Sequence, residues 1–296
     1  MEWVSSIKFT IDYIERNLLS VSGAEEIAKP VCISPFYLQT GFKMMTGYSI
    51  GEYIRNRRLY LAALDVCADK ERIIDLAYKY GYDTPESFSK AFSRFHGFSP
   101  TQIKKNPNKL KVFLPLRISI SIKGGYNMDY TVERMEGFKV IGFERNFSYE
   151  NAYAEIPKFW DEIREKYFMH LWNGKAPANA IEETICNCCI GEFGVNIDDI
   201  GNGKFRYIIA GPYTGGEVPE GMTVYELPDV EWAKFLCKGG MPTALQSINT
   251  KIFKEWLPGN PDYEIAVGVN IEWYSSGDTH SPDYESAIWI PVKKKK

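Results

Sequence analysis

The sequence predicts two unlike halves: an all-α N-terminal domain that contains one motif twice, and a C-terminal α+β domain built on an antiparallel sheet. Two observations support this prediction. A set of residues between 25 and 99 recurs about fifty positions further along the chain. After residue 129, strand-forming runs dominate and are interrupted by two helical segments, about 151–167 and 243–256. The order of these segments predicts that the C-terminal domain is pseudo-duplicated.

Length and composition allow two hydrophobic cores. The 296 residues are 45% hydrophobic and carry a formal charge of −3. Because there is no run of about 18 apolar residues, we expect a cytoplasmic protein with no membrane segment. Residues 1–110 hold 15 basic against 12 acidic side chains, whereas the remainder holds 20 against 26. The basic end is where a phosphate backbone would be expected to bind.

The first element is predicted to be a helix with one buried stripe. Its apolar residues recur at intervals of three and four, and they are Trp3, Ile7, Ile11, Ile14 and Leu18. This helix is expected to pack on the first copy of the repeated motif.

The repeated motif has the signature of a helix-turn-helix. The first copy contains Ala28, Ser34-Pro35, Leu38, Phe42, Gly47 and Ser49. The second contains Ala77, Thr84-Pro85, Phe88, Phe92, Gly97 and Ser99. In both, a hydroxyl residue and a proline begin the second helix, where an N-cap and a first-turn proline are favoured. Two such units on one chain can place two recognition helices in successive major grooves.

A long helix, from Ile50 to about Cys67, is predicted to join the two units. It carries Arg57 and Arg58, which are equally compatible with phosphate contacts and with structural ion pairs. If the helix is rigid, it fixes the separation of the recognition helices. The DNA site is then expected to contain two boxes one turn, roughly 34 Å, apart.

The N-terminal half resembles the AraC/XylS family of bacterial transcription regulators over about residues 5–105. The matching stretches are EEIAK, ISPFYLQTGFK, TGYSIGEYIRNRRL and IIDLAYKYGYDTPESFSKAFSRFHGFSP. The chain departs from the family at two positions, with Thr40 where arginine is frequent and Cys32 where glycine is frequent. The first departure removes a guanine reader, and the second bears on the geometry of the turn.

The resemblance implies that DNA is read from the first two turns of each second helix. This places the DNA-binding residues at Phe36, Gln39, Thr40, Lys43, Glu86, Ser87, Lys90 and Arg94. A glutamine can bond the edge of adenine in a bidentate manner, and a lysine or arginine can reach phosphate or guanine. Glu86 could instead stabilise the positive end of its own helix.

A polar, proline-broken stretch after Pro100 predicts a domain boundary near residue 106. The predicted division is a DNA-binding domain over 1–106, a linker over 107–127 and a second domain over 128–296. Within the linker, Ile118, Ile120 and Ile122 alternate with serines, which predicts a connecting strand.

The C-terminal half resembles the GyrI-like effector-binding domain over about residues 128–293. The stretches that carry this resemblance are KVIGFERNF, IPKFWDEIREKY, WAKFLCKGGMPTALQSINTKIFKEWLPG, YEIAVGVNIEWY and DYESAIWIPV. The resemblance implies a cleft that binds hydrophobic and often cationic small molecules between aromatic walls and a buried acid. Many relatives carry glutamate where this chain has Ala287, so another carboxylate would have to serve, or the ligand would be neutral.

Aromatic and acidic residues of this half give the candidate ligand site. They are Trp160, Tyr207, Tyr225, Glu264, Glu272 and Trp289. Aromatic faces can hold a flat or cationic ligand, although strands also use such residues for packing. Either glutamate could replace the carboxylate missing at position 287, and a solvated strand face is the alternative for both.

The expected function is a DNA-binding regulator controlled by a small-molecule effector. Its expected partners are double-stranded DNA, the effector and RNA polymerase, with no cofactor, metal or catalytic residue. Cys186, Cys188 and Cys189 are interpreted as packing residues of a half-buried strand, with a metal or redox site as the alternative. Two rival functions for the C-terminal domain remain open: a small-molecule hydrolase, and a module that sequesters a drug or a protein.

Overall fold

The structure is a computed structural model that describes residues 3–118, 128–201 and 203–295, apart from the side chain of residue 199. The N-terminal half is helical. Its helices are α1 (Trp3–Arg16), α2 (Ala24–Val31), α3 (Pro35–Thr46), α4 (Ile50–Ala68), α5 (Ile73–Lys79), α6 (Pro85–His96) and α7 (Pro100–Lys105). A short 3₁₀ turn follows at Pro107–Lys109. The pairs α2–α3 and α5–α6 are the two predicted helix-turn-helix units.

The two units share their capping chemistry. Ser34 Oγ accepts the amide of Tyr37 at 3.3 Å at the start of α3, and Thr84 Oγ1 accepts that of Ser87 at 3.1 Å at the start of α6. Both helices end on a left-handed glycine, with φ of 83° at Gly47 and 80° at Gly97. This is the conformation in which glycine avoids the penalty of a Cβ atom. The duplication predicted from the sequence therefore extends to the helix termini.

The turn of the first unit keeps its geometry without glycine. Cys32 adopts φ 54° and ψ 37° and is the left-handed cap of α2. Gly81 has φ 82° in the turn of the second unit. The departure at Cys32 thus places a side chain in an uncommon conformation while the turn is retained.

Helix α4 joins the units as predicted, and its arginines are structural. Arg57 is buried and makes a bidentate pair with Glu15, with both N···O distances at 2.8 Å. Arg58 donates to the carbonyls of Leu18 at 2.7 Å and Val21 at 3.0 Å. Both guanidinium groups are bonded to groups of the same domain. Of the two interpretations, the structural role therefore holds for Arg57 and Arg58, and the phosphate contact does not.

The C-terminal half contains one antiparallel sheet. Its strands are β1 (Thr131–Met135), β2 (Phe138–Ser148), β3 (Phe193–Gly201), β4 (Lys204–Tyr213), β5 (Thr223–Leu227), β6 (Val230–Lys238), β7 (Tyr263–Ile265), β8 (Val269–Tyr274) and β9 (Glu285–Lys294). The order across the sheet is β1-β6-β9-β8-β3-β4-β2-β5, with β7 paired to β9. The order β8-β9-β6-β1 on one side repeats as β3-β4-β2-β5 on the other. The predicted pseudo-duplication is therefore present in the strand order.

The helices of this half also repeat. α8 (Ala152–Ile163) follows β2, and α11 (Thr243–Lys251) follows β6. Each runs into a five-residue π-helical turn, Arg164–Phe168 after α8 and Ile252–Trp256 after α11. The remaining short helices are α9 (Met169–Trp172), α10 (Ala180–Asn187) and α12 (Leu257–Gly259). These positions confirm the two helical segments predicted from the sequence.

The first helix-turn-helix unit shares a core with the C-terminal half. Buried residues of α1, α2 and α3 form one continuous cluster with the helix-covered face of the sheet. The second unit has a separate core around Phe88, Phe92 and Leu76. The two units therefore differ in how they are attached to the rest of the molecule, although they are built alike.

Two sequence interpretations change or lie outside the described residues. The segment that holds Cys186, Cys188 and Cys189 is the end of helix α10 and its exit, not a strand. Asn179 caps this helix, because its side-chain oxygen accepts the amide N–H of Glu182 at 3.0 Å. The apolar residues on either side of the cysteines favoured a strand, whereas this asparagine is the sequence signal for a helix. In the described part of the chain, no set of three or more potential ligands is placed to hold a metal ion.

The predicted strand around residues 118–122 lies outside the described residues beyond Ile118. Within the described ranges, no helix combines the length and apolarity that a bilayer crossing requires.

Candidate ligand and nucleic-acid sites

A cavity of about 1200 Å³ lies between the two halves of the chain. Helix α3 forms one wall, and α8 with the segment that follows it forms another. The floor is the face of the sheet that carries Asn196, Asn270 and Glu272. A space of this size exceeds the range of about 300–1,000 Å³ that is usual for small-molecule sites.

Glu272 is the acidic centre of the cavity. Its Oε2 atom accepts hydrogen bonds from the hydroxyls of Tyr207 and Tyr274, both at 2.9 Å. Trp160 Nε1 donates to the Tyr207 hydroxyl at 2.9 Å, and the Trp160 ring packs edge-on against Tyr274. One carboxylate oxygen is therefore held by two phenols, and an indole orients one of those phenols.

Burial shapes the electrostatics of this group. Desolvation raises the pKa of Glu272, and the hydrogen bonds from Tyr274 and Tyr207 oppose that shift. Burial and the nearby Glu272 carboxylate raise the pKa of both phenols. The cavity thus holds an acid whose charge is incompletely neutralised and which would gain from a cationic partner.

The strand register explains how this arrangement forms. Alternation places Asn270, Glu272 and Tyr274 on the same face of β8, and Gly194 of β3 lies opposite Glu272. A Cβ atom at Gly194 would lie 2.2 Å from the Tyr207 hydroxyl oxygen and 3.0 Å from Glu272 Oε2. Only glycine at this position leaves room for the Tyr207–Glu272 hydrogen bond.

The structure brings together half of the predicted ligand residues. Trp160 and Glu272 line the cavity, and Tyr207 is fully buried behind Glu272. Tyr225 and Trp289 pack on the opposite face of the sheet, where Arg206 lies over Tyr225 and Lys234 over Trp289. Glu264 lies on β7 and pairs with Lys293 at 3.3 Å.

The placement of Tyr225, Glu264 and Trp289 in the ligand site is therefore corrected. The physical reason is the two-residue period of a strand, which shows which side chains share a face but not which face the helices cover. Of the two predicted glutamates, Glu272 lines the cavity and Glu264 does not. Glu272 belongs to β8 and lies next to Trp273, the register partner of Ala287 on β9.

The predicted DNA-reading residues of α6 are open to solvent. Glu86, Ser87, Lys90 and Arg94 are all exposed on one side of the helix. The Ser87 hydroxyl donates to the Thr84 carbonyl at 2.8 Å, which is a local bond within the cap. Their role in binding DNA stays a prediction.

The corresponding residues of α3 face the cavity instead. Phe36, Gln39, Thr40 and Lys43 all line it. Phe36 is 7% exposed and packs against Tyr149 and Phe205 of the sheet domain. Lys43 Nζ lies 5.0 Å from the centre of the Tyr153 ring. In this structure the face of α3 that is predicted to read DNA is covered by the C-terminal half.

Specific polar contacts hold α3 in place. The Phe36 amide donates to Asp198 Oδ2 at 2.7 Å, so that a carboxylate of β3 lies at the N-terminus of α3. The hydroxyl of Tyr37 donates to the Val269 carbonyl of β8 at 2.9 Å. Burial raises the pKa of Asp198, whereas the hydrogen bonds that it accepts from α3 and from Tyr149 oppose the shift. We refer to this set of contacts as the α3 docking surface.

A second set of contacts supports the docking surface from the neighbouring helices. Trp3 Nε1 of α1 donates to the Phe253 carbonyl at 3.2 Å, and Glu25 of α2 accepts the Gly203 amide at 2.6 Å. Sequence reasoning did not identify Asp198, Tyr37 or Asn270 as site residues. A polar residue on a strand gives no sign of the helix that will lie over it, so no local signal was available for Asp198 and Asn270. An aromatic residue on a helix, such as Tyr37, likewise gives no sign of the strand that its hydroxyl will reach.

Comparison with known proteins agrees with this architecture. The family described as integron-associated effector binding protein matches residues 131–292, more than half of the chain, and a helix-turn-helix domain family matches residues 27–106. The chain belongs to the integron-associated effector-binding family, and it carries an AraC-type helix-turn-helix domain ahead of the effector-binding domain. The family resemblances predicted from the sequence are thereby confirmed.

Individual relatives match parts of the chain. The right origin-binding protein of Escherichia coli K12 is 28% identical over 180 residues, which are 60% of this chain and 60% of that protein. The HTH-type transcriptional activator AarP of Providencia stuartii is 35% identical over 97 residues, 33% of this chain and 72% of AarP. A solved structure, SAV2435 bound to tetraphenylphosphonium, is 21% identical, with 56% of this chain and 94% of that chain covered and a TM-score of 0.45. The chain thus spans less than two thirds of the length of the right origin-binding protein.

Proposed function

We propose that the protein is a sequence-specific DNA-binding transcription regulator whose C-terminal domain binds a hydrophobic, cationic small molecule. The domain division stays as predicted, with DNA binding over 1–106, a linker over 107–127 and effector binding over 128–296. RNA polymerase remains a predicted partner. The observation that carries the effector part is the Glu272 carboxylate in an aromatic-lined cavity.

The DNA part is supported by the exposed surface of α6. Lys90 and Arg94 lie on the side of α6 that also carries Glu86 and Ser87, and none of these four is buried. A helix with this surface can enter a major groove with its N-terminal turns at the base edges. The AraC-type match over residues 27–106 agrees with this role.

The ligand part is supported by the balance of charge and burial at Glu272. A partly desolvated carboxylate is costly without a partner, and its two phenolic donors offset only part of that cost. A cation in the cavity would add an ionic partner, and the face of Trp160 would add cation–π attraction of about 0.5–2 kcal/mol. A neutral ligand would obtain neither the ionic interaction with the carboxylate nor the cation–π attraction.

The ligand experiment compares two glutamates. Glu272→Gln keeps the shape of the side chain and removes its charge, and the affinity for tetraphenylphosphonium, a lipophilic cation, is expected to fall by about tenfold or more, or roughly 1.4 kcal/mol. The matched control is Glu264→Gln, which lies outside the cavity and should bind the probe like the unchanged protein. Isothermal titration at pH 8 measures both. Equal affinity in the Glu272→Gln and unchanged proteins would refute the cation site.

A further inference from the structure

Two residues that line the cavity carry an amide oxygen without a hydrogen-bond partner. In the part of the chain that the structure describes, Gln39 Oε1 and Asn270 Oδ1 are both buried and unpaired. Both residues line the cavity, and Asn270 is 8% exposed. Leaving a buried polar atom unpaired costs about 1–3 kcal/mol. Both oxygens lie beneath the surface of the cavity. A ligand whose N–H groups turn the two amides toward the cavity and bond to their oxygens would recover that cost.

The two amides come from opposite sides of the α3 docking surface. Gln39 lies on α3 of the DNA-binding half, and Asn270 lies on β8 of the effector-binding half. The Tyr37 hydroxyl bonds to the carbonyl of Val269, the residue before Asn270, so this part of α3 lies directly over β8. A ligand that contacts both amides is therefore held between the two halves.

We propose that the cavity selects protonated amines whose N–H groups donate to Gln39 and Asn270, and that such ligands and DNA compete for α3. This proposal rests on the proposed function, because it assigns a second ligand contact and a regulatory outcome to the same cavity. Glu272 supplies the charge partner, which any lipophilic cation can use. The amides supply the selectivity, because a quaternary cation has no N–H group to donate.

Competition with DNA follows from the two predicted uses of one side chain. Gln39 is predicted to bond an adenine edge, and it cannot do so while its amide lies in the cavity beneath the sheet domain. Helix α6 is exposed in the same structure, so the second helix-turn-helix unit can bind its box while the first cannot. A ligand that bridges α3 and β8 binds only the docked arrangement, and linkage requires that it weakens binding of DNA to the first unit.

The first experiment compares two cations on the full-length protein. Benzhydrylamine is a protonated primary amine with three N–H donors, and its two phenyl rings are not coplanar, so it does not intercalate into DNA. Tetraphenylphosphonium has phenyl rings and no N–H donor. Gln39→Ala and Asn270→Ala are each expected to lower the affinity for benzhydrylamine by about fivefold to tenfold, the loss of one or two hydrogen bonds. Both variants should bind tetraphenylphosphonium within twofold of the unchanged protein. Gln102→Ala, which alters a glutamine of α7 away from the cavity, is the matched control and should change neither affinity.

The second experiment measures DNA binding in the presence of the amine. Duplex DNA that carries both boxes, obtained by selection from a random pool, is compared with duplex that retains only the box read by α6. Saturating benzhydrylamine is expected to lower the affinity for the two-box duplex by about tenfold and to leave that for the one-box duplex unchanged. The decrease should be smaller in Asn270→Ala at the same amine concentration.

The outcomes separate this proposal from the proposed function. If neither cation binds, the effector function fails, and this proposal fails with it. If both bind but benzhydrylamine binds Gln39→Ala and Asn270→Ala as tightly as the unchanged protein, only the amide contact is wrong. If the amine binds and the two-box affinity stays the same or rises, the competition is refuted while the cation site stands.

Discussion

The hydrogen bond between Tyr37 and Val269 offers the cleanest way to loosen the α3 docking surface. Tyr37→Phe removes a single hydroxyl from α3, and it keeps the ring that packs 6.3 Å from Phe253. In the docked arrangement the Val269 carbonyl then loses its phenolic donor, which now lies 2.9 Å away. In the undocked arrangement water can replace the hydroxyl, so the substitution acts mainly on the docked state.

The size of the effect follows from the energetics of one buried hydrogen bond. The net worth of such a bond is about 0.5–1.5 kcal/mol, and an unpaired buried carbonyl raises the cost toward the upper end. Because 1.4 kcal/mol corresponds to a factor of ten, the docking equilibrium should shift by about threefold to tenfold. If docking limits DNA binding, the affinity for two-box DNA should rise by the same factor in the absence of any ligand.

Fluorescence anisotropy with labelled two-box and one-box duplexes measures this shift. The one-box duplex should show no change, because α6 lies outside the docking surface. Tyr80→Phe is the matched control, since it removes a comparable hydroxyl that donates to Asp65 at 2.7 Å within the second unit. Unchanged two-box affinity in Tyr37→Phe, or an equal gain for both duplexes, would refute the view that docking restrains α3.

Two further predictions concern the centre of the cavity. Burial raises the pKa of Glu272 above its ordinary value, so the folded protein holds a proton that the unfolded chain releases between the two pKa values. The stability that this group contributes is therefore fully present below the ordinary pKa and is lost as pH rises through the raised pKa, while the affinity for a cation increases over the same window. Urea unfolding and ligand titration from pH 4 to 8 should show these two trends. Glu272→Gln should abolish both of them. Gly194→Ala should cost about 1–3 kcal/mol of unfolding free energy and weaken cation binding, because its Cβ would lie 2.2 Å from the Tyr207 hydroxyl oxygen. Gly259→Ala, whose Cβ would meet nothing within 4 Å, is its control, and equal behaviour of the two alanine variants would contradict the packing explanation.

Local signals in the sequence were sufficient to predict most of the helices and strands and the duplication within each half. The cap and proline of α3 and α6, the apolar stripe of α1 and the two helical segments of the C-terminal half all depend on residues close in sequence. Such residues act through helix capping and periodicity, which operate over a few positions. These parts of the fold could therefore be predicted without knowledge of tertiary contacts.

The docking of α3 could not be predicted, because its determinants are distant in sequence. Phe36 and Tyr37 are apolar or aromatic positions on a helix, and either would be buried against any suitable partner. Asp198 is 162 positions from Phe36, whose amide it accepts. The same limit explains the errors at Tyr225 and Trp289, which lie on the sheet face opposite the cavity. The two-residue period of a strand shows which side chains share a face of the sheet. Which face the helices cover depends on contacts between residues that are distant in sequence.

Hydroxyl-radical footprinting of two-box DNA by the full-length protein tests the central claim most directly, which is that α3 serves either DNA or the cavity but not both at once. With benzhydrylamine at saturation, protection of the box read by α3 should be lost while protection of the box read by α6 persists. Full protection of both boxes by the amine-saturated protein would contradict the claim.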